Sequence, residues 1–129
     1  MTQFLTEEEV IAINLYVIQE FSLGEQVGVK SPDLLNSAVN RPKQSVFGKD
    51  AYPTIFAKGA ALFESLSQNH AFHNANKRTA FLSLLQFLGY NGYHCVMNQK
   101  QAEDFVVDVV NHQYTFEQIA EIIELHSQK

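Results

Sequence analysis

Eleven consecutive residues, His70-Ala71-Phe72-His73-Asn74-Ala75-Asn76-Lys77-Arg78-Thr79-Ala80, bring together a base, two amides and two adjacent cations. The apolar spacing that begins at Asn76 predicts a helix with Lys77 and Arg78 in its first turn. Acids are the rule there, because the aligned peptide dipoles amount to roughly half a positive charge at a helix N-terminus. Two cations oppose that end and each other. A bound anion resolves the conflict: free first-turn N–H groups, Lys77 and Arg78 together form a cradle suited to phosphate. Asn74 and Asn76 are small amides that favour tight turns and caps. His70 precedes the cradle, and an imidazole there can take the proton of a hydroxyl attacking the phosphate. Base, anion cradle and paired cations fit phosphoryl or nucleotidyl transfer, in which catalysis is mainly positioning and charge stabilisation. The same spacing also suits a plain helix start, with Asn76 as N-cap and Lys77 and Arg78 on an ordinary surface. His70 and His73 make a poor zinc pair, three apart on a loop with no cysteine or carboxylate beside them.

The elements that must position this segment read as helices. Thr6 and Glu9 form a capping box, followed by Val10, Ile13, Leu15, Tyr16, Val17 and Phe21 at helical spacing, so a first helix runs from about Thr6 to Ser22. Ser31-Pro32-Asp33 starts a short second helix that Arg41-Pro42 stops. The polar stretch from Pro42 to Tyr52, with Gly48 inside it, predicts an ordered loop or small hairpin around Ser45 to Asp50. Pro53 opens a long third helix, in which Gly59 beside Ala57, Ala60 and Ala61 implies close packing against a neighbour. The loop His70–Ala75 then leads into a fourth helix, Asn76 to about Tyr90, closed by Asn91-Gly92. Phe72 and Phe81 are expected to anchor that loop in the core. Tyr93–Met97 reads as an extended link, Gln99–Val110 as a fifth helix, and Thr115 with Gln118 as the box that starts a sixth. The expected architecture is all-α, a single domain over residues 1–129 with about six helices and a small flap.

Composition narrows the function classes. In 129 residues, 46% are hydrophobic, with ten Phe and five Tyr, enough for one core without cross-links. Cys95 is the single cysteine, which excludes an internal disulfide and fits a reducing compartment. The N-terminus has no basic and apolar leader pattern, and the apolar runs fall short of a bilayer span, so a cytoplasmic protein without membrane attachment is expected. A net charge of −5 disfavours general nucleic-acid binding and leaves room only for a local basic site.

The string His70–Ala80 resembles the signature of the Fic/Doc superfamily, and Asn76-Lys77-Arg78 resembles its death-on-curing (Doc) branch. The resemblance extends to Arg41-Pro42, Gly48, Asp50, Tyr52-Pro53-Thr54 and Asn91-Gly92, and the length suits a minimal Doc-like toxin. It implies a helical bundle whose central helices flank the motif loop. It also implies a flap over the site, for which Val46, Phe47, Gly48, Lys49, Asp50, Ala51 and Tyr52 are the candidates. By position, His70 matches the family's general base and Phe72 its buried aromatic. Asn76, Lys77 and Arg78 match its phosphate-binding residues, with Arg78 as the clamp on transferring charge.

Doc-like proteins resemble kinases that use ATP and Mg2+ to place the γ-phosphate on a threonine of elongation factor Tu, which blocks translation. A small antitoxin with a disordered segment that folds over the site restrains them. The adenylylating Fic branch, which transfers AMP, has glycine where this chain has Lys77 and arginine where it has Phe81; both differences point away from AMP transfer. A third alternative is a catalytically weak nucleotide-binding module. Asn74 stands where the family commonly has an acid that helps hold magnesium, and a neutral amide binds that ion less tightly. No Ser/Thr-x-x-x-Glu-Gly/Asn string, the mark of self-inhibited relatives, occurs in the chain, so inhibition is expected from a separate partner.

Overall fold

The computed structural model describes all 129 residues and is an all-α bundle of six helices. In chain order these are α1 (Glu7–Phe21), α2 (Pro32–Asn40), α3 (Ile55–Gln68), α4 (Asn76–Tyr90), α5 (Gln99–Val110) and α6 (Phe116–Leu125). A single 3-10 turn, Arg41–Lys43, follows α2. Two minimal antiparallel hairpins complete the chain, β1 (Ser45–Val46) with β2 (Lys49–Asp50) and β3 (His94–Cys95) with β4 (Ser127–Gln128). The extended link at Tyr93–Met97 thus has a partner, the C-terminal strand, which local sequence does not reveal.

Helix starts follow their caps. Thr6 with Glu9 and Thr115 with Gln118 form the expected capping boxes, and Asn98 with Gln101 forms a third. Pro53 does not open α3; Thr54 is its N-cap, accepting from the Ala57 N–H, and Ile55 is the first helical residue. A hydroxyl acceptor satisfies a first-turn donor, whereas proline at N1 only tolerates its loss.

α3 and α4 form the central pair, with α1 against α4 and α2, α5 and α6 around α3. Their shared core holds Leu62, Phe63 and Leu66 from α3 and Ala80, Leu84, Phe87 and Leu88 from α4. Gly59 lies at the close approach: a Cβ there would come within 3.1 Å of Leu84 Cδ1. The apolar spacing of α1 is only partly core-facing. Val10, Val17 and Ile18 are buried, but Leu15, Tyr16 and Phe21 face outward, Phe21 being 58% exposed. Between Val10 and Val17 the buried face of α1 carries Asn14, a polar residue only 1% exposed.

The expected small hairpin forms. Its Phe47-Gly48 turn has φ of +51° and +78°, the left-handed pair that a two-residue hairpin needs. Two cations tie down its base. Lys58 of α3, 5% exposed, donates to Asp50 Oδ2 at 3.0 Å and to the Tyr52 carbonyl. Arg41 Nε donates to Tyr52 Oη at 2.9 Å, and Arg41 Nη1 meets Glu64 Oε1 at 2.8 Å. Burial works against the Arg41 charge, but hydrogen bonds to Tyr52 and Glu64 outweigh it and hold the guanidinium above its usual range.

Candidate active site

The motif loop is the turn between the two central helices, and its backbone is bent by left-handed residues near each end, His70 (φ +53°) and Ala75 (φ +62°). Side chains with a Cβ seldom adopt that conformation, which costs roughly 1–2 kcal/mol per residue and persists only where surroundings hold it. Three sets of bonds hold it here. The Asn76 side chain reproduces a peptide group: Phe72 N–H donates to Asn76 Oδ1 and Asn76 Nδ2 donates to the Phe72 carbonyl, both at 3.0 Å. Phe72 itself is 2% exposed and anchors the loop in the core. The connection between α1 and α2 then runs beside the loop, with Lys30 and Ser31 N–H donating to the Ala71 carbonyl at 2.8 and 3.0 Å. His73 N–H returns to the Gly28 carbonyl at 3.1 Å. Finally, buried Asn14 donates from Nδ2 to the Asn74 carbonyl and to Thr79 Oγ1, each at 3.0 Å, joining α1 to both loop and helix.

Asn76 is therefore not the N-cap that its spacing allows. It is the first residue of α4, and the cap position falls on Ala75, which has no side-chain acceptor to offer. The consequence is chemical. With Asn76 committed to Phe72, the first-turn N–H groups of Asn76, Lys77 and Arg78 have no side-chain acceptor and stay available to an anion. Neither Lys77 nor Arg78 takes part in an ion pair; the three in the protein are Arg41–Glu64, Lys58–Asp50 and Lys100–Asp104.

A cleft of about 390 Å³ opens over this helix end. It brings together His70, His73, Asn74, Asn76, Lys77 and Arg78 with Ser67 at the end of α3, Val110 at the end of α5, and Ser22 and Glu25 from the α1–α2 connection. Every motif residue expected to act, except buried Phe72, lines this one cavity. The hairpin residues Val46 to Tyr52 are not among its walls; their bonded anchors lie on α3 and Arg41. A second concavity of about 440 Å³ between α1 and α4 is lined mostly by apolar side chains such as Ile13, Leu82 and Leu85. It contains no carboxylate, histidine or cation, in contrast to the polar cleft.

Several contributors carry no local signal in the sequence. Asn14, Ser22 and Glu25 lie 45 or more residues before the motif, and only the folded arrangement of α1 and the connection after it brings them to it. Asn14 could have been noticed as a polar residue on the apolar stripe. Glu25 is the only carboxylate on the cleft wall. Asn74 donates from Nδ2 to the Gln26 carbonyl at 3.0 Å, and its Oδ1 makes no hydrogen bond within the protein.

Comparison with known proteins identifies the family. The family model described as Fic/DOC family matches residues 4–88. The chain is also 35% identical over 122 residues to the toxin Doc of Mycolicibacterium smegmatis, covering 93% of this chain and 90% of that protein. The matched span runs from the start of α1 through nearly all of α4, so it includes Asn14, the connecting segment, the hairpin and the whole loop. The chain belongs to the Fic/Doc family.

Proposed function

We propose that the protein is a Doc-like toxin and a protein kinase, transferring the γ-phosphate of ATP to a hydroxyl, a threonine of a translation factor such as elongation factor Tu. The observation that carries this reading is the uncapped start of α4, with unpaired Lys77 and Arg78, in the same cleft as His70. The similar protein of M. smegmatis is a toxin by name, and a cognate antitoxin and a cytoplasmic site of action accompany that reading.

In the reaction, the His70 imidazole accepts the hydroxyl proton as the oxygen bonds to the γ-phosphorus. The bond from that phosphorus to the β,γ-bridging oxygen breaks, and ADP leaves with the electron pair. Lys77, Arg78 and the first-turn N–H groups take up the charge that spreads over the phosphoryl oxygens. AMP transfer would need the opposite end of the nucleotide at this cradle. Lys77 favours the kinase reading, because the AMP-transferring branch has glycine at that position.

Magnesium fits the donors present. Asn74 Oδ1 is unengaged by the protein and Glu25 supplies a carboxylate on the same wall, both hard oxygen ligands. Bound with ATP, the ion would neutralise phosphate charge and help align the triphosphate. Asn74→Asp is accordingly expected to lower the magnesium concentration for half-maximal transfer and to tighten Mn2+ binding followed by electron paramagnetic resonance. The substitution also loses the donor to Gln26, so a stability loss of about 1 kcal/mol should accompany it. Unchanged metal dependence and Mn2+ affinity would remove residue 74 from the metal site.

The test of function is incubation of the purified chain with elongation factor Tu, magnesium and ATP labelled separately at the α and γ positions. Mass spectrometry of the factor should show the increment of one phosphate, with γ label alone transferred. An increment of AMP with α label would establish the nucleotidyltransferase reading. No modification of the factor or of a whole-cell extract would leave a nucleotide-binding module.

A further inference from the structure

Arg78 is held, and not by an acid. Its guanidinium carbon lies 4.2 Å from the centroid of the Phe21 ring, the shortest cation–aromatic approach in the molecule. Phe21 closes the last turn of α1 and is 58% exposed, so core packing does not account for a phenylalanine there. It stands seven residues after Asn14, two helical turns along the same face of α1. That face is the one that meets the motif: Asn14 bonds the loop and the start of α4, and Phe21 meets the cation on its first turn.

We infer that Phe21 is a positioning residue for Arg78, pre-orienting the guanidinium toward an anion at the cleft without neutralising it. The inference rests on the reading of the cleft as a phosphate site. The physical case lies in what the partner leaves free. A carboxylate would hold Arg78 through its N–H groups and would then have to be displaced by each incoming phosphate. A ring face attracts the cation through its quadrupole and occupies none of the five donors at the guanidinium edge. Stacking also removes rotamer freedom before the ligand arrives, and ordering a long side chain on binding costs roughly 0.5–1.5 kcal/mol. Near the N-terminus of α4, where dipole and Lys77 both push a cation away, such a hold has most effect.

The experiment measures calorimetric binding of inorganic tripolyphosphate to the full chain, so it does not depend on any transfer reaction. Phe21→Ala is expected to weaken binding about two- to tenfold, the range set by ordering one free side chain. Phe21→Tyr and Phe21→Trp should restore it, because both offer a ring face. Phe21→Leu should behave as Ala, because it keeps apolar bulk without one. In an Arg78→Ala background Phe21→Ala should have no further effect, the coupling expected of a pair that acts together. In the free protein, the Arg78 side-chain N–H resonance should lose its ring-current shift in Phe21→Ala and Phe21→Leu only. Equal or tighter binding by Phe21→Ala would overturn the inference, showing a stack that restrains Arg78 rather than presents it. Full rescue by leucine, or absence of binding by the unaltered chain, would overturn it as well. Loss of the binding pattern with transfer intact sinks this inference alone; an intact pattern without transfer sinks the kinase reading alone.

Discussion

His70→Ala should lower transfer by about 10²- to 10⁴-fold while the apparent affinity for ATP stays close to that of the unaltered chain. The separation of effects follows from where the side chain stands. His70 is exposed at the cleft, and its ring makes no hydrogen bond within the protein, so truncation removes no packing and leaves no buried partner unsatisfied. The cations and first-turn amides that would bind phosphate belong to α4, on the far side of the loop. Equilibrium unfolding should therefore differ by less than about 0.5 kcal/mol, as for surface substitutions without structural bonds. His70→Gly adds a control, because glycine relieves the positive φ that histidine and alanine both carry there. A base is lost in each, so both should be slow, with Gly the more stable. Undiminished transfer in His70→Ala would remove the residue from the chemistry.

Asn76→Ala should act in the opposite sense, through structure first. Both backbone groups of Phe72 depend on the Asn76 amide, and the neighbouring backbone bonds of the loop go to Ala71 and His73 instead. Truncation orphans a donor and an acceptor at once. At about 1–3 kcal/mol per unsatisfied group, reduced by partial access of water, a loss of about 2–4 kcal/mol is expected in denaturant unfolding. Asn76→Asp distinguishes the two bonds: the carboxylate can accept from Phe72 N–H but meets the Phe72 carbonyl with another acceptor. It should fall between the asparagine and alanine forms in stability and should bind anions worst, because its charge sits in the phosphate cradle. Equal stability of all three forms would refute the role assigned to the amide.

The order of helices and their starts are local properties, which is why Thr6 with Glu9 and Thr115 with Gln118 mark α1 and α6 correctly and Gly59 marks the close approach of α3 and α4. The chemical segment is legible for the same reason, since its acting residues are contiguous. What stays hidden is what crosses the chain. The role of Phe21 is invisible in an apolar periodicity that treats it as core, because burial of one face of α1 is decided by α4 and the loop. Asn76 reads as a cap because amides cap helices more often than they imitate a peptide four residues back, and only the positive φ at Ala75 moves the helix start by one position. The pairing of β3 with the terminal strand is likewise a contact between distant segments with no pattern in either.

The bonds from Lys30 and Ser31 to Ala71, and from His73 to Gly28, mean that the motif loop and the α1–α2 connection, which both contribute to the cleft, are one piece of hydrogen-bonded backbone. The loop and the connection cannot part without breaking them and releasing the chain segment they close between residues 30 and 71. Opening at these walls is thus a local unfolding event and not a breathing motion. The three amides should exchange with deuterium together and far more slowly than the exposed tip at Phe47. Along this side a ligand would meet a fixed backbone wall, with only the side chains free to move.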